Sequence, residues 1–342
     1  MGQDQSLDDV PLRIVVLGKR DDPWLTELAS LPKAARIIAW GESIERLRES
    51  NGQTFTDGNV LFCASGGAAE LGPVVKHMPF LEWVHCLFAG IDHIVCKELR
   101  ENQELVVTNA RGVFSSSLAE YVMLACSYFN KDVPRLLRNK ARCDYERFTV
   151  GEIRGKTMGI VGYGDIGRSV AVLAKAYGCT TLGLRRHPDL SKDDELLDKC
   201  VGSGEEDLLM LMRESDFLVV CAPLTPETLH MIGEKQLANC KRGQILVNIG
   251  RGALIDENAL IAALQHGFLA GAALDVFTIE PLPQDSPLWT LPNVLLSPHN
   301  ADMTHNFRHL SVALFSTMCT KYLENGCNPR VLQNQVDVVS GY

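Results

Sequence analysis

Three glycines constrain this chain most: Gly162, Gly164 and Gly167. They stand between a short apolar run at 158–161 (MGIV) and an apolar-periodic run at 169–177 (SVAVLAKAY) that stops at Gly178. Strand, tight turn and helix in that order are the context in which G-x-G-x-x-G has a mechanism. Gly162 permits the turn, Gly164 lets a pyrophosphate approach the backbone, and Gly167 lets the helix pack close to its strand. The helix start offers free N–H groups and a positive dipole end to phosphate. The bare spacing also occurs in ordinary glycine-rich turns; its flanks make it a dinucleotide-binding turn.

Short apolar runs extend to both sides. Before the turn they fall at 12–18, 35–40, 59–64, 81–88 and 105–108, with a charged helical stretch at 42–49. After it they fall at 180–184, 217–222, 244–249, 271–276 and 294–296, with helices predicted at 206–214, 256–266 and 310–323. Such alternation predicts parallel sheets covered on both faces. Ser115, Ser116 and Ser117 are expected to cap a helix over 118–128 that is apolar nearly all round and therefore buried. The charged stretch 131–154 reads as a surface passage. With 342 residues, two domains are expected. The predicted class is α/β, with two doubly wound parallel sheets.

Composition removes several classes. Lysine and arginine number 33 against 42 aspartates and glutamates, a net charge of −9, which argues against nucleic acid or an anionic membrane as partner. No apolar run reaches the roughly 18 residues that span a bilayer. The acidic start resembles neither a secretory nor a transit peptide. Met1-Gly2 with Ser6 matches an acylation pattern formally, in a context without basic residues. The 11 cysteines include no C-x-x-C pair, which disfavours a disulfide scaffold or zinc site. A reducing, cytoplasmic location is the default. His305 and His309 have a zinc-compatible i, i+4 spacing but no third ligand, so no metal is expected.

Three further segments each follow a predicted strand: Asn248 to Gly252 (NIGRG), Asp275 to Pro283 (DVFTIEPLP) and Leu296 to Ala301 (LSPHNA). Carboxyl ends of strands in a doubly wound sheet share the edge where ligands sit. Arg251, Glu280 and His299 are therefore expected to converge near a nicotinamide. Plain readings stand beside this one: a surface arginine, an acid at a helix boundary, a histidine at a helix start, and Asp275 as a turn cap.

With the glycine turn, Arg251 in N-x-G-R-G, Glu280 before a proline and His299 in S-P-H, in that order, the chain resembles the D-isomer-specific 2-hydroxyacid dehydrogenase family. Phe88 to Asp92 and Asn109 to Glu120 resemble it as well, and the likeness runs from about residue 12 to about 326. It implies a discontinuous, flavodoxin-like substrate domain (1–108 and 300–342), a Rossmann coenzyme domain (109–299), a cleft between them, and a homodimer formed through the coenzyme domain. It implies cofactor contacts from Gly162, Gly164, Asp165, Ile166, Gly167, Cys221, Ala222, Pro223, Thr228, Ile249, Gly250, Arg251, Asp275 and His299. Asp275 would meet the nicotinamide carboxamide, and the backbone of Ala89, Gly90 and Ile91 would join Arg251 and His299 around the substrate. The chemistry agrees: Arg251 can fork onto carboxylate and carbonyl oxygens, His299 can donate a proton because imidazole as a group titrates near neutrality, and a nearby Glu280 would favour the imidazolium.

One position departs from the NAD-binding pattern. The second strand after the glycine turn is expected to end in an acid that binds ribose hydroxyls; here 180–184 runs into Arg185-Arg186-His187. Two guanidinium groups suit a 2′-phosphate, so NADP(H) is expected over NAD(H), with NAD(H) as the other possibility. Glyoxylate or hydroxypyruvate is the first substrate expectation. A corepressor-like nucleotide sensor with little turnover is the alternative. About 20 residues follow the last predicted helix, so a long regulatory extension is not expected.

Overall fold

Side chains alternating with a period of two build the first sheet. The structure, a computed structural model, describes residues 10–20, 28, 30–49, 55–64 and 68–339; the acylation match at Met1-Gly2 and Ser6 lies outside them. Strands β1 (Leu12–Leu17), β2 (Ala35–Gly41), β3 (Val60–Cys63), β4 (Trp83–Cys86) and β5 (Val106–Asn109) pair in parallel. Their order is β2-β1-β3-β4-β5, that of the flavodoxin-like doubly wound fold. Helices α1 (Ile44–Glu49), α2 (Ala68–Lys76) and α3 (Lys97–Glu101) lie between them in sequence. Leu12, Ile14 and Val16 join one apolar cluster while Val15 and Leu17 join the other, as the pleat requires. The long helix Phe307–Glu324 covers the first face through Val312, Phe315, Met318 and Tyr322. Its Phe315 ring stacks 4.5 Å from Phe62.

A histidine interrupts this apolar face. His85 of β4 is fully buried. Its Nδ1 lies 2.8 Å from Thr108 Oγ1, which also accepts from Trp83 Nε1 at 2.7 Å. Burial pushes the imidazole down to about 3, so it is held neutral in the core.

The second unit begins with α4 (Ser115–Asn130) and α5 (Val133–Ala141) and continues β6 (Thr157–Val161), α6 (Asp165–Ala176), β7 (Thr180–Leu184), β8 (Lys199–Val201), α7 (Glu205–Glu214), β9 (Phe217–Val220), α8 (Glu234–Ala238), β10 (Ile245–Asn248), α9 (Glu257–Gln265), β11 (Gly271–Leu274) and β12 (Val294–Leu296). Its seven strands run in the order β12-β11-β10-β9-β6-β7-β8, with all pairs parallel. Strand order reverses between β6 and β9, the switch point at which such sheets bind ligands.

Several expectations shift. The compact units are Met1–Val113 with His305–Tyr342, and Phe114–Thr304, within a few residues of the expected 108/109 and 299/300. Hydrogen bonds account for both edges. Asn109 N donates to Asn334 O and Ala110 N to Phe88 O, which ties this turn to the first unit. Asn300 N and Ala301 N donate to Asp275, which ties them to the second. The serines are not side-chain caps: α4 starts at Ser115, after Phe114. The passage at 131–154 contains α5, capped by Asp132, whose side chain accepts from Arg135 N at 3.2 Å. No residue of α5 is buried. β8 was not expected because a three-residue, half-exposed edge strand carries no apolar run.

Candidate active site

At the exit of β6 the three glycines meet three different demands. Gly162 has φ of 97°, and a Cβ there would stand 2.5 Å from the backbone of Ala222. A Cβ on Gly167 would stand 2.8 Å from Gly162 O and 2.9 Å from Ile160 Cγ2, so α6 sits directly on its strand. A Cβ on Gly164 would meet nothing within 4 Å. The space over Gly164 is open, and no side chain caps α6 at this residue. Open backbone beside an uncapped helix start fits a pyrophosphate. Asp165 and Ile166 form the first turn of α6, where Asp165 accepts from Ser115 Oγ. The Cys221 thiol donates to Gly162 O at 3.3 Å, and burial pushes it up to about 12, which keeps it neutral. After Ala222, the loop closes on itself through Thr228 Oγ1, which donates to Pro223 O at 2.8 Å.

β10 ends at Asn248, whose side chain shapes the next turn. Its Oδ1 accepts from Gly250 N at 3.1 Å and its Nδ2 donates to Arg251 O at 3.0 Å. Ile249 is buried and donates its N–H to Val220 O. Arg251 is half-buried, with Nη1 donating to Gly250 O at 2.9 Å. A Cβ on Gly252 would lie 1.9 Å from Phe277 C. Only glycine lets the arginine loop press against the backbone that leads to Glu280.

The third loop is fastened from inside. Asp275, just past β11, is 1% exposed. Its Oδ1 accepts from Asn300 N at 3.1 Å, from Ala301 N at 3.2 Å and from Ser297 Oγ. His299 N donates to Asp275 O at 2.8 Å, and His299 adopts φ of 52°. The His299 side chain thereby meets Glu280, with Nδ1 2.8 Å from Oε2. Glu280 is aimed by Phe277 N, which donates to Oε1 at 2.9 Å. With Nδ1 engaged, Nε2 is the nitrogen turned away from the carboxylate. Asp302 is held above the usual carboxylate range by burial, with Asp275 adding to the effect and His299 and Arg251 opposing it.

At the end of β7, Arg185 Nη1 donates to Ser191 Oγ at 2.5 Å, and Arg186 stands 4.0 Å from Glu227. Both arginines therefore stand at the carboxyl edge of the sheet, beyond the neighbour of the glycine strand. Ala89, Gly90 and Ile91 belong to the other unit, past the carboxyl end of β4. There Asn109 Nδ2 donates to Ala89 O at 2.6 Å, and Ile91 is buried. Sequence reasoning missed Ser117, Tyr121, Ser191, Ser297 and Asp302. Asp302 alone carried a signal, as an acid three residues beyond His299. Among the described residues, no group of three His, Cys, Asp or Glu side chains could hold a metal. Among the described residues, no helix is long and apolar enough to cross a membrane.

A parallel sheet with its glycine turn at the switch point and a histidine–carboxylate pair at its carboxyl edge defines a class: the dinucleotide-dependent oxidoreductases. Residues 121–301 match the model of the D-isomer specific 2-hydroxyacid dehydrogenase NAD-binding domain. The chain is 35% identical over 269 residues to a glyoxylate reductase of Korarchaeum cryptofilum, covering 77% of this chain and 79% of that one. It is 36% identical over 282 residues to glyoxylate/hydroxypyruvate reductase B of Pectobacterium carotovorum subsp. carotovorum, covering 79% and 85%. A D-isomer specific 2-hydroxyacid dehydrogenase of Xanthobacter autotrophicus, solved with NADPH and MES, superposes with a TM-score of 0.80 at 28% identity, covering 96% of this chain and 99% of that one. This chain belongs to the D-isomer-specific 2-hydroxyacid dehydrogenase family.

Proposed function

We propose that the protein is an NADPH-preferring reductase of small 2-oxo acids, with glyoxylate and hydroxypyruvate as first substrates. The observation that carries the reading is the His299–Glu280 pair at 2.8 Å, with the Glu280 loop pressed against the arginine loop at Gly252. A bound nicotinamide supplies the hydride. Arg251 holds the substrate carboxylate and C2 carbonyl through its two-pronged guanidinium. His299 donates the Nε2 proton to the C2 oxygen as the carbonyl is reduced. Glu280, on Nδ1, orients the ring. Such general acid catalysis contributes roughly 10²–10⁴-fold. Asp275 Oδ2 is the less engaged oxygen of that carboxylate, accepting from Ala301 N at 3.3 Å, and is the atom we assign to the nicotinamide carboxamide.

Arg185, steadied by Ser191, and Arg186, 4.0 Å from Glu227, support NADP(H): two guanidinium groups at the end of β7 can bind a 2′-phosphate. A homodimer is supported by exposed apolar side chains on α4, α5 and the segment after them, with Leu124 at 58%, Leu137 at 57% and Tyr145 at 90% exposure. The eleven free cysteines support a reducing, cytoplasmic setting. The test is nicotinamide oxidation, followed by absorbance, with glyoxylate, hydroxypyruvate, pyruvate and phenylpyruvate, once with NADPH and once with NADH. Turnover favouring NADPH supports both halves of the reading, and turnover with NADH alone removes the cofactor half. Nucleotide binding without turnover on any acid of the panel removes the reductase reading in favour of a nucleotide sensor.

A further inference from the structure

Helix α4 touches the catalytic loops at more points than a covering helix needs. Ser115 Oγ donates to Asp165 at the start of the glycine helix, and Ser117 Oγ donates to Ala301 O at 2.6 Å, two residues past His299. One turn further along the same face, Tyr121 Oη is buried and has no hydrogen bond of acceptable geometry. Ser297 and Asp275 are its polar neighbours: burial pushes the phenol up to about 12, Asp275 adds to the rise, and the Ser297 hydroxyl opposes it. Asp275 and Ser297 are the groups that fasten the His299 loop. The Tyr121 hydroxyl sits beside that fastening, with Ser297 as the group it reaches.

We propose that Ser117 and Tyr121 are positioning residues for His299. Ser117 fixes the Ala301 carbonyl, Tyr121 bears on the Ser297–Asp275 pair, and together they make α4 the rail against which the proton-donating loop is set. The proposal rests on the reductase reading for its kinetic consequence but not for its structural one. The partners of both residues lie on the His299 loop and its fastening, not on the glycine turn. Loss of either therefore lowers kcat without a matching loss of nucleotide affinity.

The experiment compares wild type with Ser117→Ala, Ser117→Thr and Tyr121→Phe. It measures kcat, substrate KM, NADPH Kd and hydrogen exchange across residues 299–304 of the nucleotide-free protein. Ser117→Ala is expected to lower kcat about three- to tenfold, the scale of one hydrogen bond, with NADPH Kd changed less than about twofold and exchange at 299–304 accelerated. Ser117→Thr keeps the hydroxyl and restores both. Tyr121→Phe keeps the ring and fold and also lowers kcat; a ring that merely packs would leave kcat at the wild-type value and melt no earlier. Wild-type exchange at 299–304 in Ser117→Ala overturns the proposal, as does a kcat loss that threonine fails to rescue or that NADPH Kd matches. If wild type turns over no 2-oxo acid, the reductase reading fails, and the exchange measurement decides the role of α4 alone.

Discussion

Asp275 offers a perturbation whose size follows from the structure. Its Oδ1 receives two backbone N–H groups and one hydroxyl in a site 1% exposed. Asp275→Ala strands both N–H groups, each costing about 1–3 kcal/mol. Ser297 loses less, because Asn300 Oδ1 stands 3.0 Å from its hydroxyl and can accept in Asp275's place. The expected local loss is therefore about 4 kcal/mol. Asp275→Asn keeps an oxygen at the Oδ1 position and loses only the charge assistance, about 1 kcal/mol. The gap of about 3 kcal/mol corresponds to a ratio on the order of a hundred in the local opening equilibrium. Hydrogen exchange of peptides across 294–302 reads that ratio directly. Alanine is expected to accelerate exchange about a hundredfold over asparagine, and kcat falls in the same order as the His299 loop loosens. Equal exchange in the two variants would refute the reasoning, since it would mean that Oδ1 fastens nothing.

Two other outcomes follow from the same geometry. His85 has its pKa depressed to about 3 by burial, against about 6.5 in the unfolded chain. Between those values the unfolded state binds the extra proton, so stability is full above about pH 6.5 and is lost as pH falls toward 3. From pH 7 to pH 5 this group removes about 2 kcal/mol. The urea midpoint of wild type relative to His85→Phe should fall across that interval, and a constant difference would remove the buried neutral imidazole from the account. Arg185→Asp replaces the proposed 2′-phosphate partner with a repelling charge. KM for NADPH should rise at least about tenfold while KM for NADH improves, and an unchanged ratio of the two would strike Arg185 from the cofactor site.

What was legible in the sequence was what local periodicity and turn chemistry encode. The glycine turn carries its own backbone demand. The period-two alternation of Leu12, Ile14 and Val16 against Val15 and Leu17 encodes a strand buried on both faces. That Glu280 and His299 meet was legible because strand ends in a doubly wound sheet share one edge. The helix α5 escaped because it lies within a charge-rich stretch and its short stripe of Val133, Leu136 and Leu137 is not buried; an aspartate in the left-handed region starts it, a choice without a strong sequence signal. The fastening around His299 escaped for another reason. Asp275 binds amides 25 and 26 residues away, and Ser117 binds a carbonyl 184 residues away. Only the folded sheet brings these groups together. Serine and tyrosine on α4 look like a cap and a core aromatic until their partners are in view.

The central claim is that His299, held by Glu280, donates the proton in 2-oxo acid reduction. The most direct measurement is kcat for NADPH-driven glyoxylate or hydroxypyruvate reduction by His299→Ala, with NADPH Kd determined on the same sample. The account expects kcat to fall by roughly 10²–10⁴-fold while Kd stays within about twofold, because the phosphates rest on the glycine turn and not on His299. Turnover surviving at the wild-type level would contradict it and return the proton to another group.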